Sequence, residues 1–222
     1  MLLFSFQSWS TELNVCYEEW RPYAYKTKSG IYTGIILDKL LNTAKNNDIQ
    51  LRLHELPHPR CIESVKSNKM DFALFVDNND GLKLLNKKLS NWELAIATRV
   101  GEMPSEEQKL VAQHINKITI ARDYVYPDAL NDLLAQLQKP VIKVSHYIQK
   151  KEDAYRIFRA LLDYRVDAMV VDRVWANNVK SELSLPFEVS TWTLHKEPQF
   201  VGYSYQSAQK ESAINTLLKA IE

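Results

Sequence analysis

The sequence predicts an α/β protein made of two similarly built lobes, and three observations carry that expectation. Short apolar runs alternate with amphipathic helical patterns along the chain, the order that builds largely parallel sheets flanked by helices. Two of those runs echo each other. "SVKSNKMDFALFVD" (Ser64–Asp77) and "LLDYRVDAMVVD" (Leu161–Asp172) share a helix end, a basic residue, an aspartate, an apolar run and a closing aspartate. They lie about a hundred residues apart, too far for a solenoid repeat and suited to one copy per lobe. Finally, 222 residues with 45% hydrophobic and 25% charged content suffice for two small globular lobes.

The elements follow in order. Leu13–Tyr17 reads as a strand, and "RPYAYKTKSGIYTG" as a loop or tight hairpin broken by Pro22 and Gly30. Ile35, Ile36, Lys39, Leu40 and Ala44 have helical spacing, and "IQLRLHEL" alternates as a second strand stopped by Pro57 and Pro59. A short helix over Cys61–Ser67 leads into the apolar strand "DFALFV", which ends at Asp77. "ELAIATRVGEMP" is extended. "ITIAR" and "PVIKVS" are strands flanking a helix from Pro127 to Gln138, where Pro127 suits a first turn because its missing N–H has no partner there anyway. Ala154, Ile157, Phe158, Leu161 and Leu162 form one apolar stripe, so a helix precedes the buried run Ala168–Val171. "RVWANNVKSEL" is helical, "FEVSTWTL" and "FVGYSY" are extended, and "QKESAINTLLKAIE" closes the chain as an amphipathic helix.

Totals exclude several classes. A net charge of +1 gives no overall basic face for nucleic acid, and no apolar run approaches the length of a membrane span. With 5 glycines and neither GxGxxG nor GxxxxGK[ST], no phosphate-cradling loop or cofactor is indicated. His54 and His58 are separated by Pro57 and lack a ligand set, so no metal site is expected. Serine-elbow, Cys-His and zinc-hydrolase motifs are absent from the sequence.

The strand ends carry the candidate chemistry. Ligands of open α/β sheets bind beyond the carboxyl ends of the strands, where Asp77 and Asp172 stand. The other reading of Asp172 is an N-cap for the helix that follows. Trp20 and its neighbours in "YEEWRPYAY" offer aromatic faces to a planar or cationic ligand, or simply pack the loop. Cys16 lies in the first strand and Cys61 opens the helix after the second. Neighbouring strands of a β-α-β unit bring such residues within bridging range, the alternative being two buried free thiols. "MLLFSFQSWS" reads as the remnant of an export signal at 1–10, or as an ordered arm.

The order and spacing of "LNVCYEEWRPYAY...GIYTGIILDKL", "PHPRCIESVKSNKMDFAL", "NKKLS" and "LLDYRVDAMVVD" resemble the extracellular solute-binding proteins of family 3, the amino-acid-binding components of ABC importers. The resemblance implies a two-lobed periplasmic-binding-protein-like α/β fold with two crossover hinge strands and a ligand cleft between the lobes. Lobe 1 would span 11–96 and 193–222 and lobe 2 97–192, with crossovers near Ala95–Arg99 and Val189–Thr193. It implies a periplasmic monomer that closes on a small molecule without a cofactor, serving an ABC permease. By position it implies ligand contacts at Trp20, Tyr23, Asp77, Asn78, Lys83 and Asp172. Lys83 stands where the family has an arginine, and a lysine cannot make the bidentate fork to a carboxylate. With Asp77, Asn78, Asn79 and Asp80 after the strand, and "DYVYPDAL" where the family has a Ser-Thr pair, the site is expected to favour a cationic or neutral ligand. Two other readings stand beside this one. A dehydratase-like enzyme on the same fold would use Glu18 or Glu19 as its base, and a ligand-sensing module would feed a receptor.

Overall fold

The structure is a computed structural model describing residues 11–122, 126–144 and 151–219, so the stretch 1–10 lies outside the described residues. In chain order the elements are β1 (Thr11–Tyr17), β2 (Tyr25–Lys26), β3 (Tyr32–Thr33), α1 (Ile35–Asn46), β4 (Ile49–Glu55), α2 (His58–Lys66), β5 (Phe72–Val76), β6 (Lys83–Leu84) and β7 (Ser90–Arg99). They continue with β8 (Ile118–Ala121), α3 (Asp128–Gln136), β9 (Val141–Val144), α4 (Lys151–Leu162), β10 (Ala168–Asp172), α5 (Arg173–Leu183), β11 (Phe187–Val189), β12 (His195–Tyr203) and α6 (Glu211–Leu218). Two compact units result, unit 1 from Met1–Ser90 with Pro198–Glu222 and unit 2 from Asn91–Glu197. The chain passes between them inside β7 and β12. Ala95–Arg99, expected as a crossover, lies in the sheet of unit 2, where Ala95 pairs with Val171 of β10 and Arg99 with Phe187 of β11. A long extended run looks the same in sequence whether it crosses or pairs.

The sheet of unit 1 runs β4-β1-β5-β12. Its first three strands are parallel and β12 is antiparallel to β5. The pleat of β1 sends Leu13, Val15 and Tyr17 to one face, where they bury against Leu37 and Leu40 of α1 and Ile214 and Leu217 of α6. Cys16 points the other way, against Ile62 and Val65 of α2. Pro59, expected to stop β4, instead sits in the first turn of α2, where a missing N–H costs nothing.

Unit 2 repeats the plan as β9-β8-β10-β7. Strands β8, β9 and β10 are parallel, and β7 is antiparallel to β10. Leu94, Ile96, Ile118 and Val170 bury against Leu130 and Leu134 of α3. Met169 and Val171 face Phe158 and Leu161 of α4 and Val179 of α5, and Phe158 stacks on Phe187 with centroids 4.1 Å apart.

The sequence echo has a structural counterpart at its first aspartate. Asp71 Oδ2 accepts the Asn14 N–H at 2.8 Å and pairs with Lys210 at 2.8 Å. Asp167 Oδ2 accepts the N–H groups of Asn116 and Lys117 at 2.9 and 3.0 Å, and its other oxygen meets Arg99 at 3.1 Å. Each aspartate ties the start of the buried strand to the neighbouring strand. Three residues earlier, Asn68 and Tyr164 both adopt the left-handed conformation, φ 59° in each case. Asparagine tolerates this readily. Tyr164 does not, and its ring lies under the Arg99 guanidinium at 4.2 Å. Among the described residues no helix is long and apolar enough to cross a membrane.

Cys16 and Cys61 form a disulfide, with Cα atoms 5.6 Å apart and a sequence separation of 45. The cross-link joins β1 to α2 on the face buried by Ile62 and Val65. Closing a loop of this length restricts the unfolded chain by about 2–4 kcal/mol. Thiol titration of unfolded, unreduced protein is expected to find no reactive thiol. A Cys16→Ala/Cys61→Ala double variant is expected to lose about 2–4 kcal/mol in urea unfolding. A variant as stable as the parent would show that the bridge adds nothing to the fold.

Candidate functional site

The carboxyl ends of β1, β4 and β5 supply one edge of unit 1. From β1 the chain continues into Glu18, Glu19 and Trp20. From β4 it turns at Leu56 into α2, which opens with His58, and from β5 it enters a 3-10 turn, Asn78–Asp80. Three parallel strands thus bring an aromatic, an imidazole and several carboxylates to the position where sheets of this class bind ligands.

The aromatic part is fixed by the backbone. Trp20 N–H donates to Ala24 O at 2.8 Å and Ala24 N–H to Trp20 O at 2.9 Å, closing a tight loop whose Arg21–Pro22 bond is cis. The first N–H groups of α1, which have no helical partner, donate to this loop: Ile35 to Pro22 O and Ile36 to Tyr23 O, each at 2.9 Å. Gly34 permits the approach. It has φ 129°, and a Cβ there would stand 2.4 Å from Tyr23 O.

Phe75 completes the aromatic group by an irregularity of β5. Phe200 pairs with Val76 and Val201 with Leu74, so Phe75 is the extra residue of a bulge. Its φ of 60° is a conformation a phenylalanine adopts only at a cost of about 1–2 kcal/mol. The result is a ring 5.0 Å from Trp20 and 6.3 Å from Tyr23, with Trp20 and Tyr23 themselves 4.9 Å apart. Strain of this kind concentrates at working sites.

The charged part is paired. Arg21 Nε donates to Glu19 Oε1 at 2.6 Å while its guanidinium covers the Tyr25 ring at 4.1 Å. His58 Nε2 lies 2.9 Å from Asp80 Oδ1. Asp80 Oδ2 accepts the Asp77 N–H at 2.9 Å, and Asp77 Oδ1 accepts the Asn79 N–H at 2.7 Å, a capping box over the turn. Burial pushes the Glu18 carboxyl up, and the His58 charge and main-chain N–H only partly restore it. Burial also raises Glu19, with Arg21 opposing and Glu55 adding to the rise. For His58 burial disfavours the charge, but the Asp80 hydrogen bond and the charges of Asp80, Glu18 and Asp77 outweigh it, and its pKa rises. Asp80 shifts down, because His58, the Asp77 N–H and Lys66 outweigh its burial. Tyr17, fully buried beneath, has a hydroxyl with no hydrogen-bond partner among the described residues. Burial, then Glu55, Tyr32 and Glu19, raise its pKa.

Of the residues named from the sequence, Trp20 and Tyr23 come together, and Asp77 follows β5 two residues after Phe75. Asn78 is exposed. Lys83 sits on the short strand β6 opposite Tyr203, its ammonium 4.1 Å from the Tyr205 ring. Asp172 ends β10 in unit 2. It is 2% exposed, and its Oδ1 accepts the Trp175 N–H at 2.7 Å as the N-cap of α5. Sequence reasoning passed over Phe75 and the His58–Asp80 pair. The signal for Phe75 was present, since the first apolar run of the echo is one residue longer than the second. His54 bonds Asn14 Oδ1 at 3.3 Å, and among the described residues no cluster able to hold a metal ion is found.

No family model and no curated protein matches the sequence. Solved structures do. An ancestral amino-acid-binding protein, a precursor of cyclohexadienyl dehydratase, superposes with TM-score 0.68 at 18% identity, covering 94% of this chain and 88% of that one. An arginine-bound mutant of ArgBP from T. maritima gives 0.67 at 15% identity over 95% and 96%. A histidine-bound substrate-binding protein of an ABC uptake transporter from Streptococcus pneumoniae gives 0.68 at 15% over 94% and 85%. The chain therefore has the α/β fold of two-lobed periplasmic binding proteins.

The imidazole–carboxylate pair makes stability depend on pH. A raised His58 pKa adds stability that is complete below 6.5, its ordinary value, and lost as pH rises through the elevated one. A lowered Asp80 pKa adds stability that is complete above 3.8 and lost as pH falls through the depressed one. The contribution of the pair is thus largest between those two values. Thermal unfolding of the parent and His58→Gln across pH should show a gap that is widest in that window and narrows above it. A pH-independent gap would show that the pair carries no linked charge.

Proposed function

We propose that this protein is a periplasmic solute-binding protein that captures a small polar ligand, an amino acid or related amine, for an ABC importer. The observation that carries the reading is the edge of unit 1, where the Trp20–Tyr23–Phe75 rings stand with Glu18, Glu19, Asp77 and Asp80 at the carboxyl ends of three parallel strands. Aromatic faces and carboxylates together suit a cationic nitrogen. The likeness to an arginine-bound protein and to a histidine-bound component of an ABC uptake transporter supports the same class. The Cys16–Cys61 bridge supports an oxidising compartment such as the periplasm. Capture by hinge closure, as a monomer, is part of the proposal. Asp172, which caps α5, is proposed to read the ligand nitrogen.

A second reading is a dehydratase-like enzyme. Glu18, with its raised pKa, beside the His58–Asp80 pair supports it, because an acid and a base with shifted pKa values side by side are what proton transfer needs. Product formation from the bound compound separates the two readings.

Native mass spectrometry of the purified protein, followed by identification of any co-purifying small molecule, tests the function directly. Calorimetry with that compound is expected to show a loss of about tenfold for Trp20→Ala. For Asp172→Asn, which removes one partner of a buried charge pair, the expected loss is about thirtyfold or more. Lys83→Ala is expected to bind normally, since its ammonium rests on Tyr205. Unchanged affinity in Trp20→Ala would overturn the placement of the ligand. Normal binding by a less stable Asp172→Asn would reduce that residue to a helix cap, a role worth about 1 kcal/mol.

A further inference from the structure

We propose that unit 2 carries a second ligand site, a pocket for a small organic carboxylate built by Arg173, Lys196 and Trp192 and held in shape by Glu93. The pocket is about 410 Å³, and every residue lining it belongs to Asn91–Glu197. It is a shallow depression, largely open to solvent. It does not share a residue with the aromatic edge of unit 1, and the proposal stands whether or not the reading of that edge is correct.

The chemistry of the walls selects the ligand. Arg173 opens α5, donating from Nη1 to Thr191 O at 2.7 Å and from Nη2 to Glu93 Oε2. Lys196 Nζ lies 2.9 Å from Glu93 Oε1. Both oxygens of one carboxylate are therefore taken by two cations, and the three groups sum to a single positive charge. Glu93 is only 7% exposed, whereas the side chains of Arg173 and Lys196 are 30% and 54% exposed. Burial alone would raise the Glu93 pKa, but hydrogen bonds from Lys196 and Arg173 hold it down, so the carboxylate stays ionised between them.

A guanidinium has five N–H donors and an ammonium three, and these contacts use only some of them. Arg173, Lys196, Thr191 and Thr193 make the lining mostly polar, and Trp192, which also packs against the core of unit 2, adds a small apolar share. A small organic carboxylate matches such a lining. Glu106 is the other acid in the lining. It is exposed, so water and salt screen its repulsion. Glu93 is a positioning residue in this arrangement, since it orients the two cations and does not touch the ligand.

The test uses benzoate and its uncharged analogue benzamide with the full-length, isotope-labelled protein. The indole N–H signals of Trp192 and Trp20 are assigned from Trp192→Phe and Trp20→Phe and followed by NMR. Benzoate is expected to shift the Trp192 signal saturably, with Kd of about 1 mM or below. Benzamide is expected to leave it in place, and Lys196→Gln to weaken benzoate binding about tenfold or more. The Trp20 signal is expected not to move. The proposal is overturned if the Trp192 signal stays still, if benzamide shifts it equally, or if Lys196→Gln binds benzoate as the parent does. A benzoate response at Trp20 alone would also overturn it, by assigning the carboxylate to unit 1. Failure of the solute-binding reading would appear elsewhere, as unchanged affinity of Trp20→Ala for its co-purified compound.

Discussion

A strand buried on both faces must have its polar groups hydrogen-bonded within the fold, and each unit of this protein is organised around such a strand. Phe72–Val76 and Ala168–Asp172 are buried at every position. Each is preceded by an aspartate that accepts main-chain N–H groups from the neighbouring strand and pairs with a cation. At the far end, Asp77 after one strand and Asp172 closing the other accept the N–H of Asn79 and of Trp175, respectively. The first aspartate fixes the register of the sheet. The second ends the strand and aims whatever follows at the carboxyl edge. A charge in these places is affordable only because its hydrogen bonds are made.

The two units differ where one residue has been added. In unit 2 the buried strand runs directly into Asp172. In unit 1 the same plan contains Phe75, which does not fit the ladder and is turned out of it in a left-handed conformation. That single residue gives unit 1 its third aromatic ring, against Trp20 and Tyr23. The loop carrying those two rings is held by the start of α1 through the close approach at Gly34. The aromatic wall therefore depends on one bulge and one glycine more than on core volume.

Much of this was legible in the sequence, for physical reasons that also mark where legibility ends. Apolar alternation and helical spacing located nearly every element, because burial imposes its period on the residues. The echo between the lobes was legible because both copies must satisfy the same strand ends. Pairing across long separations was not. The Lys83 ammonium is committed to Tyr205 because β6 pairs with β12, more than a hundred positions away in the chain. The His58–Asp80 contact needs α2 and the turn after β5 to meet, which no local pattern reports. Ala95–Arg99 read as a crossover because extended backbone carries no sign of its partner.

Charge shows the same limit in a form that bears on function. The sequence displays a crowd of acids around Trp20 and after β5, which on a simple count would repel any carboxylate. The fold allots most of them internally: Glu19 to Arg21, Asp80 to His58 and the Asp77 N–H, Asp77 to the Asn79 N–H. Glu18, half-buried, has its pKa raised by desolvation. The carboxylates of this edge are thus engaged by partners within the fold, which the composition does not show. In unit 2 the allotment runs the other way, because one buried carboxylate holds two cations and leaves an excess of donors. Two pieces of one chain, each close to neutral by count, therefore differ in how their charges are paired, and it is this pairing, more than the number of charges, that distinguishes them.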